Sequence, residues 1–161
     1  MIGVLALQGD VREHLAALEA VGAPARPVRR RHELDGLAGL IIPGGESTTI
    51  GRLLVLYDLL EPIRERAAAG RLAIYGTCAG LILLAREIEG SDQPRLGLLD
   101  VTVRRNAYGR QVDSFEALIE APALGPEPLE AAFIRAPLIT RAGEGVEVLA
   151  HHDGHPVLGR Q

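Results

Sequence analysis

The chain has 161 residues, which is enough for one domain with a sizeable core and too few for two ordinary domains. Apolar residues make up 47% of the sequence and charged residues 24%, a balance that is typical of a folded globular protein and argues against disorder. The net charge of -4 gives no general attraction to nucleic acid or to an anionic membrane, so we expect neither as a partner.

The cysteine content and the lack of long apolar runs predict a cytoplasmic location. Cys78 is the single cysteine, so no internal disulfide can form. The first residues, Met1-Ile2-Gly3, lead directly into a strand pattern without a basic leader. No apolar run reaches about 20 residues, the length of a membrane span. We therefore expect one cytoplasmic domain over residues 1–161.

The first half of the chain alternates strand and helix patterns, which predicts a parallel α/β sheet. In the first helix, apolar spacing places Leu15, Leu18 and Val21 on one face. Asp10 is the predicted N-cap and Gly22 the predicted C-cap. His14 lies in this helix, and we expect it to face solvent or a partner. The predicted strands are residues 2–7, 25–28, 39–42 and 72–75, and the predicted helices are residues 11–21, a stretch from about 50, and residues 59–69.

A glycine-rich segment, Pro43-Gly44-Gly45-Glu46-Ser47-Thr48-Thr49, follows the third predicted strand. Adjacent glycines allow backbone angles that turn amides toward a ligand, so the segment is a candidate anion-stabilising loop. A phosphate-binding loop is disfavoured because the Gly-Lys-Ser/Thr ending is absent and the chain contains no lysine. A plain turn with a helix cap at Ser47 or Thr48 is the alternative interpretation.

The sequence around Cys78 has the layout of a nucleophile elbow, in which a strand turns sharply into a helix. A buried strand pattern at residues 72–75 runs into Gly-x-Cys-x-Gly, and apolar helix formers follow. Gly76 and Gly80 suit a turn at which two backbones approach closely. The unpaired first amides of the helix favour the thiolate, which is the attacking form of cysteine. A small buried apolar residue is the alternative interpretation of a lone cysteine.

After the elbow the pattern changes to strands without long helices between them. This predicts an antiparallel portion joined to the same sheet. A polar, glycine-bearing loop at residues 106–111 is of a kind that often faces a site, and Asp153-Gly154 is predicted to be a hairpin turn. The predicted strands are residues 98–104, 115–120, 131–134 and 146–150.

A thiolate beside a turned glycine loop is suited to acyl transfer. The developing oxyanion needs fixed donors, and the amides of Ala79 and of Gly44 or Gly45 are the candidates. Because the carboxyl ends of adjacent parallel strands meet at one edge of a sheet, we expect the two loops to lie together. A histidine base with an orienting carboxylate is also needed, and no histidine has one at a suitable spacing. The histidines considered as bases or metal ligands, each judged unsuitable, are His32, His151, His152 and His155.

These motifs together resemble the class I, triad-type glutamine amidotransferase family, and more narrowly its glutaminase subunits of pyridoxal 5′-phosphate synthase. The resemblance covers essentially the whole chain. Gly-x-Cys-x-Gly marks the superfamily, whereas the Gly-Gly-Glu-Ser-Thr-Thr and Gly-Arg-Gln-Val-Asp-Ser-Phe-Glu runs are specific to these subunits. The matching segments are residues 5–9, 11–14, 43–49, 76–81, 105–106, 109–116 and 133–137.

The resemblance implies a three-layer, flavodoxin-like α/β fold whose central sheet is mainly parallel. It implies hydrolysis of the side-chain amide of L-glutamine through a thioester on Cys78, with Gly45 and Ala79 in the oxyanion hole. The ammonia would pass to a synthase subunit, which would dock on the first helix and the glycine loop, so this chain would need no cofactor and no metal. The implied glutamine-binding residues are Gly45, Glu46, Ser47, Arg105, Ile134 and Arg135.

One departure from the family pattern concerns the end of the sequence. The family carries a His-Pro-Glu segment in a late strand and a final helix after it, and this sequence stops at Gln161 before either. We therefore expect this sequence to lack the C-terminal strand and helix of the family. If the chain truly ends at Gln161, we expect no useful glutaminase turnover. Two alternatives stay open: a non-catalytic partner domain of the same complex, and another cysteine hydrolase on a similar sheet.

Overall fold

The computed structural model describes residues 1–105, 107 and 114–161, and these form two compact units. The first unit comprises Met1–Leu84 and Asp92–Leu98. The second unit comprises Ala85–Ser91 and Leu99–Gln161.

The first unit alternates strands and helices, as the sequence predicts. Each predicted strand and helix of this unit is confirmed, with boundaries that shift by three residues at most. The strands are β1 (Ile2–Leu5), β2 (Ala25–Val28), β3 (Gly39–Ile42) and β4 (Ala73–Gly76). The helices are α1 (Val11–Ala20), α2 (Ser47–Leu56), α3 (Leu60–Ala68) and α4 (Ala79–Leu84), with a 3-10 turn at Arg31–Leu34.

The four strands pair in parallel in the order β2-β1-β3-β4. Ile2 lies opposite both Ala25 and Gly39, so three strands begin at the same level. At the other end, Ile42 of β3 lies opposite Gly76 of β4. The carboxyl ends of β1, β3 and β4 therefore share one edge, where open α/β sheets keep their sites.

The core of the first unit forms between the sheet and its helices. Strands β1 and β3 are mostly buried, and such strands read as continuous apolar runs, which is why the sequence showed them clearly. Residues 72–75 were also expected to form a buried strand, but Ala73 and Tyr75 of β4 are exposed. Burial of each large aliphatic side chain contributes about 1.5–3 kcal/mol. Fully buried core side chains include Val4, Leu5, Leu40 and Ile42 from the strands and Ile50, Leu54, Ile63 and Leu83 from the helices.

Three helices end in the same hydrogen-bonded motif, in which the residue after the cap is left-handed. In α1 the Gly22 N–H donates to the Glu19 carbonyl and the Ala23 N–H to the Leu18 carbonyl, both at 2.9 Å, and Gly22 has φ +69°. Asp58 (φ +52°) and Gly70 (φ +66°) take the same position after α2 and α3. Gly22 was predicted as the C-cap, but the cap position falls on Val21, and Gly22 is the left-handed residue after it. Val21, predicted to share the apolar face of Leu15 and Leu18, is 77% exposed.

The described helices are short. The longest of them, α1 and α2, have ten residues each. A membrane span needs about 20 residues, so no described helix could cross a bilayer.

Helix α4 approaches strand β3 at a distance that excludes a side chain on Gly80. A Cβ atom built there would overlap the carbonyl oxygen of Ile42. A Cβ on Gly76 would lie 2.6 Å from the Gly80 carbonyl carbon, closer than real Cβ atoms come. Both glycines of the Gly-x-Cys-x-Gly motif are therefore required by close packing of the backbone.

The second unit consists of short strands that pair mostly in antiparallel fashion. Strand β6 pairs with β5 in parallel and with β9 in antiparallel orientation, while β7–β8 and β10–β11 form hairpins. The strands are β5 (Ala85–Ile88), β6 (Leu99–Arg104), β7 (Phe115–Ile119), β8 (Leu129–Phe133), β9 (Leu138–Ala142), β10 (Glu147–His152) and β11 (His155–Arg160).

The sequence predicted four of these strands and missed β5, β9 and β11. It was also wrong to expect the antiparallel strands to join the first sheet: among the described residues, β5 to β11 form sheets of their own. Short connections favour pairing with a neighbour along the chain, as in the two hairpins. Strand β5 begins directly after Leu84 without any turn residue, and Pro156 lies within β11, so the usual strand signals were weak.

An aromatic cluster stabilises the second unit. The rings of Phe115 and Phe133 stack with their centroids 4.8 Å apart, and the His152 ring stacks on Phe133 at 5.1 Å. Ile119 and Ala150 are buried in the same cluster. His152 is therefore part of the packing of this unit.

We predict that Gly80→Ala lowers the free energy of unfolding by about 2–3 kcal/mol, because the added methyl group overlaps the Ile42 carbonyl. Gly22→Ala is the matched control: its Cβ meets nothing within 4 Å, so the cost is the strain of a positive φ, about 1 kcal/mol. Urea denaturation of both variants measures the difference. Equal losses would contradict the close approach of α4 to β3.

Candidate active site

Three loops meet at the carboxyl edge of the four-stranded sheet. They follow β1 (residues 6–10), β3 (residues 43–46) and β4 (residues 77–78). The Asp10 N–H donates to the Gly44 carbonyl at 3.0 Å, and the Thr77 N–H donates to the Ile42 carbonyl at 3.1 Å. The first bond joins the loop after β1 to the loop after β3. The second joins the loop after β4 to the end of strand β3.

Cys78 stands at the turn between β4 and α4, and its side chain is exposed. Its φ of +49° lies in the left-handed region, which a residue with a Cβ adopts at a cost of about 1–2 kcal/mol. Backbone strain of this kind persists only where the surrounding structure fixes it, and it is concentrated at functional sites. The observed turn is that of a nucleophile elbow.

The glycine loop lies next to Cys78. A Cβ built on Gly44 would lie 3.5 Å from the Cys78 Cβ and 2.7 Å from a carboxylate oxygen of Asp10. Gly45, with φ +154°, follows it in a conformation open mainly to glycine. The glycine backbone therefore lies beside the Cβ of Cys78, with the Asp10 carboxylate next to it.

Glu46 caps helix α2. Its carboxylate accepts from the Thr48 N–H at 3.1 Å, the Thr49 N–H at 2.7 Å and the Thr49 hydroxyl at 2.7 Å. Burial raises the pKa of Glu46, but the hydrogen bonds from Thr49 and Thr48 outweigh it and leave the pKa below its usual value.

A helix cap at Ser47 or Thr48 was the alternative interpretation of this loop, and it is wrong. The helix begins at Ser47, so the cap position falls on Glu46. The hydroxyls of Ser47 and Thr48 donate instead to the Gln93 side-chain oxygen, at 3.4 and 3.1 Å. Glu46, Ser47 and Thr48 thus hold the start of α2 in place.

Gln8 is a site residue that sequence reasoning did not single out. Its side-chain oxygen accepts from the Glu46 N–H at 2.8 Å, which joins the loop after β1 to the loop after β3. A polar residue at the carboxyl end of a parallel strand is the signal that could have found it.

His14 was expected to face solvent or a partner, and its placement corrects this. Its Nε2 atom lies 3.0 Å from the hydroxyl of Thr77, the residue before Cys78, in a partly buried hydrogen bond. Burial lowers the pKa of His14, while the negative charges of Asp10 and Glu13 act in the opposite direction. The signal was available, because His14 shares the half-buried face of α1 with Leu15 and Leu18.

Comparison with known proteins agrees with this geometry. The profile of the SNO glutamine amidotransferase family matches residues 4–161. This chain belongs to that family. The resemblance inferred from the sequence is confirmed.

Known relatives match this chain over nearly its full length. The pyridoxal 5′-phosphate synthase subunit PdxT of Moorella thermoacetica is 57% identical over 160 residues, covering 99% of this chain and 85% of that protein. The protein of the same name from Thermus thermophilus is 57% identical over 162 residues, covering 100% of this chain and 84% of the relative. A crystal structure of a glutamine amidotransferase, 55% identical, superposes with a TM-score of 0.94 over 99% of this chain and 84% of its own. The α/β fold with a mainly parallel sheet is confirmed.

The remaining predicted glutamine-binding residues lie in the second unit. Arg105 follows β6 in a turn and is half-buried, whereas Ile134 and Arg135 follow β8 and are exposed. Arg135 has φ +46°, another left-handed residue with a side chain. Of the predicted loop at 106–111, all but Ala107 lies outside the described residues.

The histidines considered as bases lie in other settings. His151, His152 and His155 belong to the β10–β11 hairpin, and His32 is exposed in the 3-10 turn. Asp153 (φ +49°) and Gly154 (φ +77°) form the tip of this hairpin, so the predicted turn is confirmed.

We predict that Glu46→Ala lowers the free energy of unfolding by about 1 kcal/mol at neutral pH, because the first amides of α2 lose their acceptor. Glu13→Ala is the control, an exposed glutamate in the first turn of α1, and should have a smaller effect. The folded-state pKa of Glu46 lies below its usual value, so its stabilisation is present at neutral pH and is lost as pH falls through that lowered pKa.

Urea denaturation at neutral and at acid pH tests the role of Glu46. The difference between the unmodified protein and Glu46→Ala should shrink in acid. A difference that is independent of pH would show that the carboxylate charge contributes nothing to the cap.

Proposed function

We propose that this chain is the glutamine-hydrolysing subunit of a pyridoxal 5′-phosphate synthase. It would release ammonia from L-glutamine and pass it to a synthase subunit. The observation that carries the proposal is the exposed Cys78 on a left-handed elbow, with the backbone of Gly44 beside it. The PdxT names of its relatives support the choice of complex.

The chemistry begins with Cys78. Its thiolate attacks the carbonyl carbon of the glutamine side chain, an S–C bond forms, and the carbonyl electron pair moves onto oxygen. When this intermediate collapses, the C–N bond breaks and nitrogen leaves as ammonia with the proton that a base took from the thiol. Water then cleaves the thioester, which gives glutamate and restores Cys78.

The oxyanion needs donors that are already in position. Ala79 is the first residue of α4, so its N–H has no acceptor within the helix. Gly45 would supply the second N–H from the loop beside Cys78. Removing one such donor from an enzyme of this kind costs about 100–1000-fold in kcat, so the placement of this loop would decide most of the rate.

The base is assigned by family resemblance to a histidine and a carboxylate in a His-x-Glu pattern, which the 161-residue sequence does not contain. His32, His151, His152 and His155 are not proposed as substitutes, since none of them has a carboxylate in that pattern. The proposal for this chain is therefore restricted to the nucleophile, the oxyanion donors and the substrate site.

The substrate is a zwitterion whose two charges need fixed partners. By family resemblance, we propose that Gly45, Glu46 and Ser47 bind glutamine, and we propose the same role for Arg105, Ile134 and Arg135. The side chains of Glu46 and Ser47 already have partners within the first unit, so this part of the site is ordered before the ligand binds. No cofactor or metal is included in the proposal.

We also propose that the two compact units are parts of one glutamine amidotransferase domain over residues 1–161. The family profile runs through both units, which supports this. A cytoplasmic location is proposed as well, since a catalytic thiol must stay reduced.

All turnover measurements use the chain extended at its C-terminus by the His-Pro-Glu segment and final helix of the family. In this extended chain, we predict that Cys78→Ala abolishes ammonia release from glutamine in the presence of the synthase subunit, a loss of at least about 1000-fold. Binding to the synthase, followed by sedimentation, should be unchanged. Ammonia release by Cys78→Ala would overturn the proposed nucleophile. Binding of the unmodified chain to the synthase without any ammonia release would favour the non-catalytic partner domain instead.

We predict that Arg105→Met raises the KM for glutamine by about tenfold or more, with a smaller change in kcat, because a charged partner of the zwitterion is lost. Arg160→Met is the matched control, since Arg160 is an exposed arginine of the same unit that pairs with Glu147. Steady-state kinetics gives the KM for glutamine of each variant. Equal KM values would remove Arg105 from the substrate site.

A further inference from the structure

Thr77 is held at each of its three hydrogen-bonding groups. Its N–H donates to the Ile42 carbonyl at 3.1 Å, and its carbonyl accepts from the Gly80 N–H at 2.8 Å. Its hydroxyl lies 3.0 Å from His14 Nε2. The first two bonds use the backbones of β3 and α4, and the third comes from a side chain on α1.

This clamp lies next to a strained residue. Cys78 follows Thr77 directly and has φ +49°. A left-handed residue with a Cβ keeps its conformation only if its neighbours over-determine it. Any freedom of Thr77 would therefore be passed to the backbone of Cys78 and to the direction of its thiol.

His14 is suited to this role by its position. It lies one turn into α1, on the half-buried face of the helix. Burial lowers its pKa, which favours the neutral imidazole, although Asp10 at the N-cap of α1 and Glu13 within the helix raise it. A neutral imidazole can pair with a hydroxyl either as donor or as acceptor.

We infer that His14 is a positioning residue for Cys78: by holding the Thr77 hydroxyl, it fixes the turn from which the thiol projects. The inference rests on the proposed function, because it takes Cys78 as the nucleophile. His14 is not assigned as the general base, since its observed bond is to Thr77.

Alkylation of Cys78 by iodoacetamide across a range of pH tests the inference without glutamine or a partner. His14→Ala and Thr77→Val should each slow alkylation at neutral pH by roughly fivefold and move its pH midpoint upward, because a loosened elbow stabilises the thiolate less. The double variant should be no slower than either single variant, since both remove the same bond.

Conservative variants separate positioning from proton transfer. His14→Gln places an amide near the position of Nε2 but cannot accept the thiol proton at neutral pH, so it should restore alkylation to within about twofold of the unmodified protein. Thr77→Ser keeps the hydroxyl and should do the same. If His14→Gln were as slow as His14→Ala, His14 would act as a base and the inference would fail.

Controls separate the inference from loss of fold and from failure of the proposed function. Glu19→Ala, on the exposed face of α1, should alkylate at the unmodified rate, and thermal unfolding followed by circular dichroism should show that each variant is folded. If His14→Ala fails to fold, the alkylation rates of His14→Gln and Thr77→Val test the positioning role instead: the first should be close to the unmodified rate and the second slower.

The two proposals fail in different ways. With the synthase subunit and glutamine, His14→Ala should lower kcat by about tenfold and leave KM nearly unchanged. Unaltered alkylation midpoints in both His14→Ala and Thr77→Val would overturn the positioning role, even if Cys78→Ala abolishes ammonia release. If His14→Ala and Thr77→Val left alkylation unchanged and Cys78→Ala still released ammonia, both the positioning role of His14 and the nucleophilic role of Cys78 would be overturned.

Discussion

The carbonyl group of Ile42, at the end of β3, is the contact on which the rest of the first unit's site depends. It accepts the Thr77 N–H and at the same time occupies the space where a Gly80 side chain would be. The residues that follow Ile42, after the end of β3, form the glycine loop. One peptide group thus sets the distance between the elbow and that loop. The parallel register of β3 and β4 places the elbow and the loop at the same level along the sheet.

Around this contact the site is built from hydrogen bonds between loops. Asp10 holds the Gly44 carbonyl, Gln8 holds the Glu46 N–H, and Glu46 in turn holds the start of α2. Each bond is worth only about 1 kcal/mol by itself. Because they connect the loops after β1 and β3 and hold the start of α2, they order the backbone before any ligand is present, which is the condition for efficient electrostatic stabilisation of an oxyanion.

The sequence predicted the first unit well because its signals are local: apolar runs for β1 and β3, and a glycine after α1. It predicted less where the outcome depends on contacts distant in sequence. The bond between His14 and Thr77 joins residues 63 positions apart, and the pairing of β6 with β9 has no local signature. The cap was predicted one or two residues too late, at Ser47 or Thr48, because serine and threonine are the commoner caps, whereas the cap is Glu46.

The division of the chain bears on the order of its synthesis. The first unit is encoded entirely within the first 98 residues and includes the whole parallel sheet. At about 5–20 residues per second, the ribosome needs several more seconds to make the remainder. The strained elbow can therefore begin to form on the nascent polypeptide before translation of the second unit's aromatic cluster, which ends at His152, is complete.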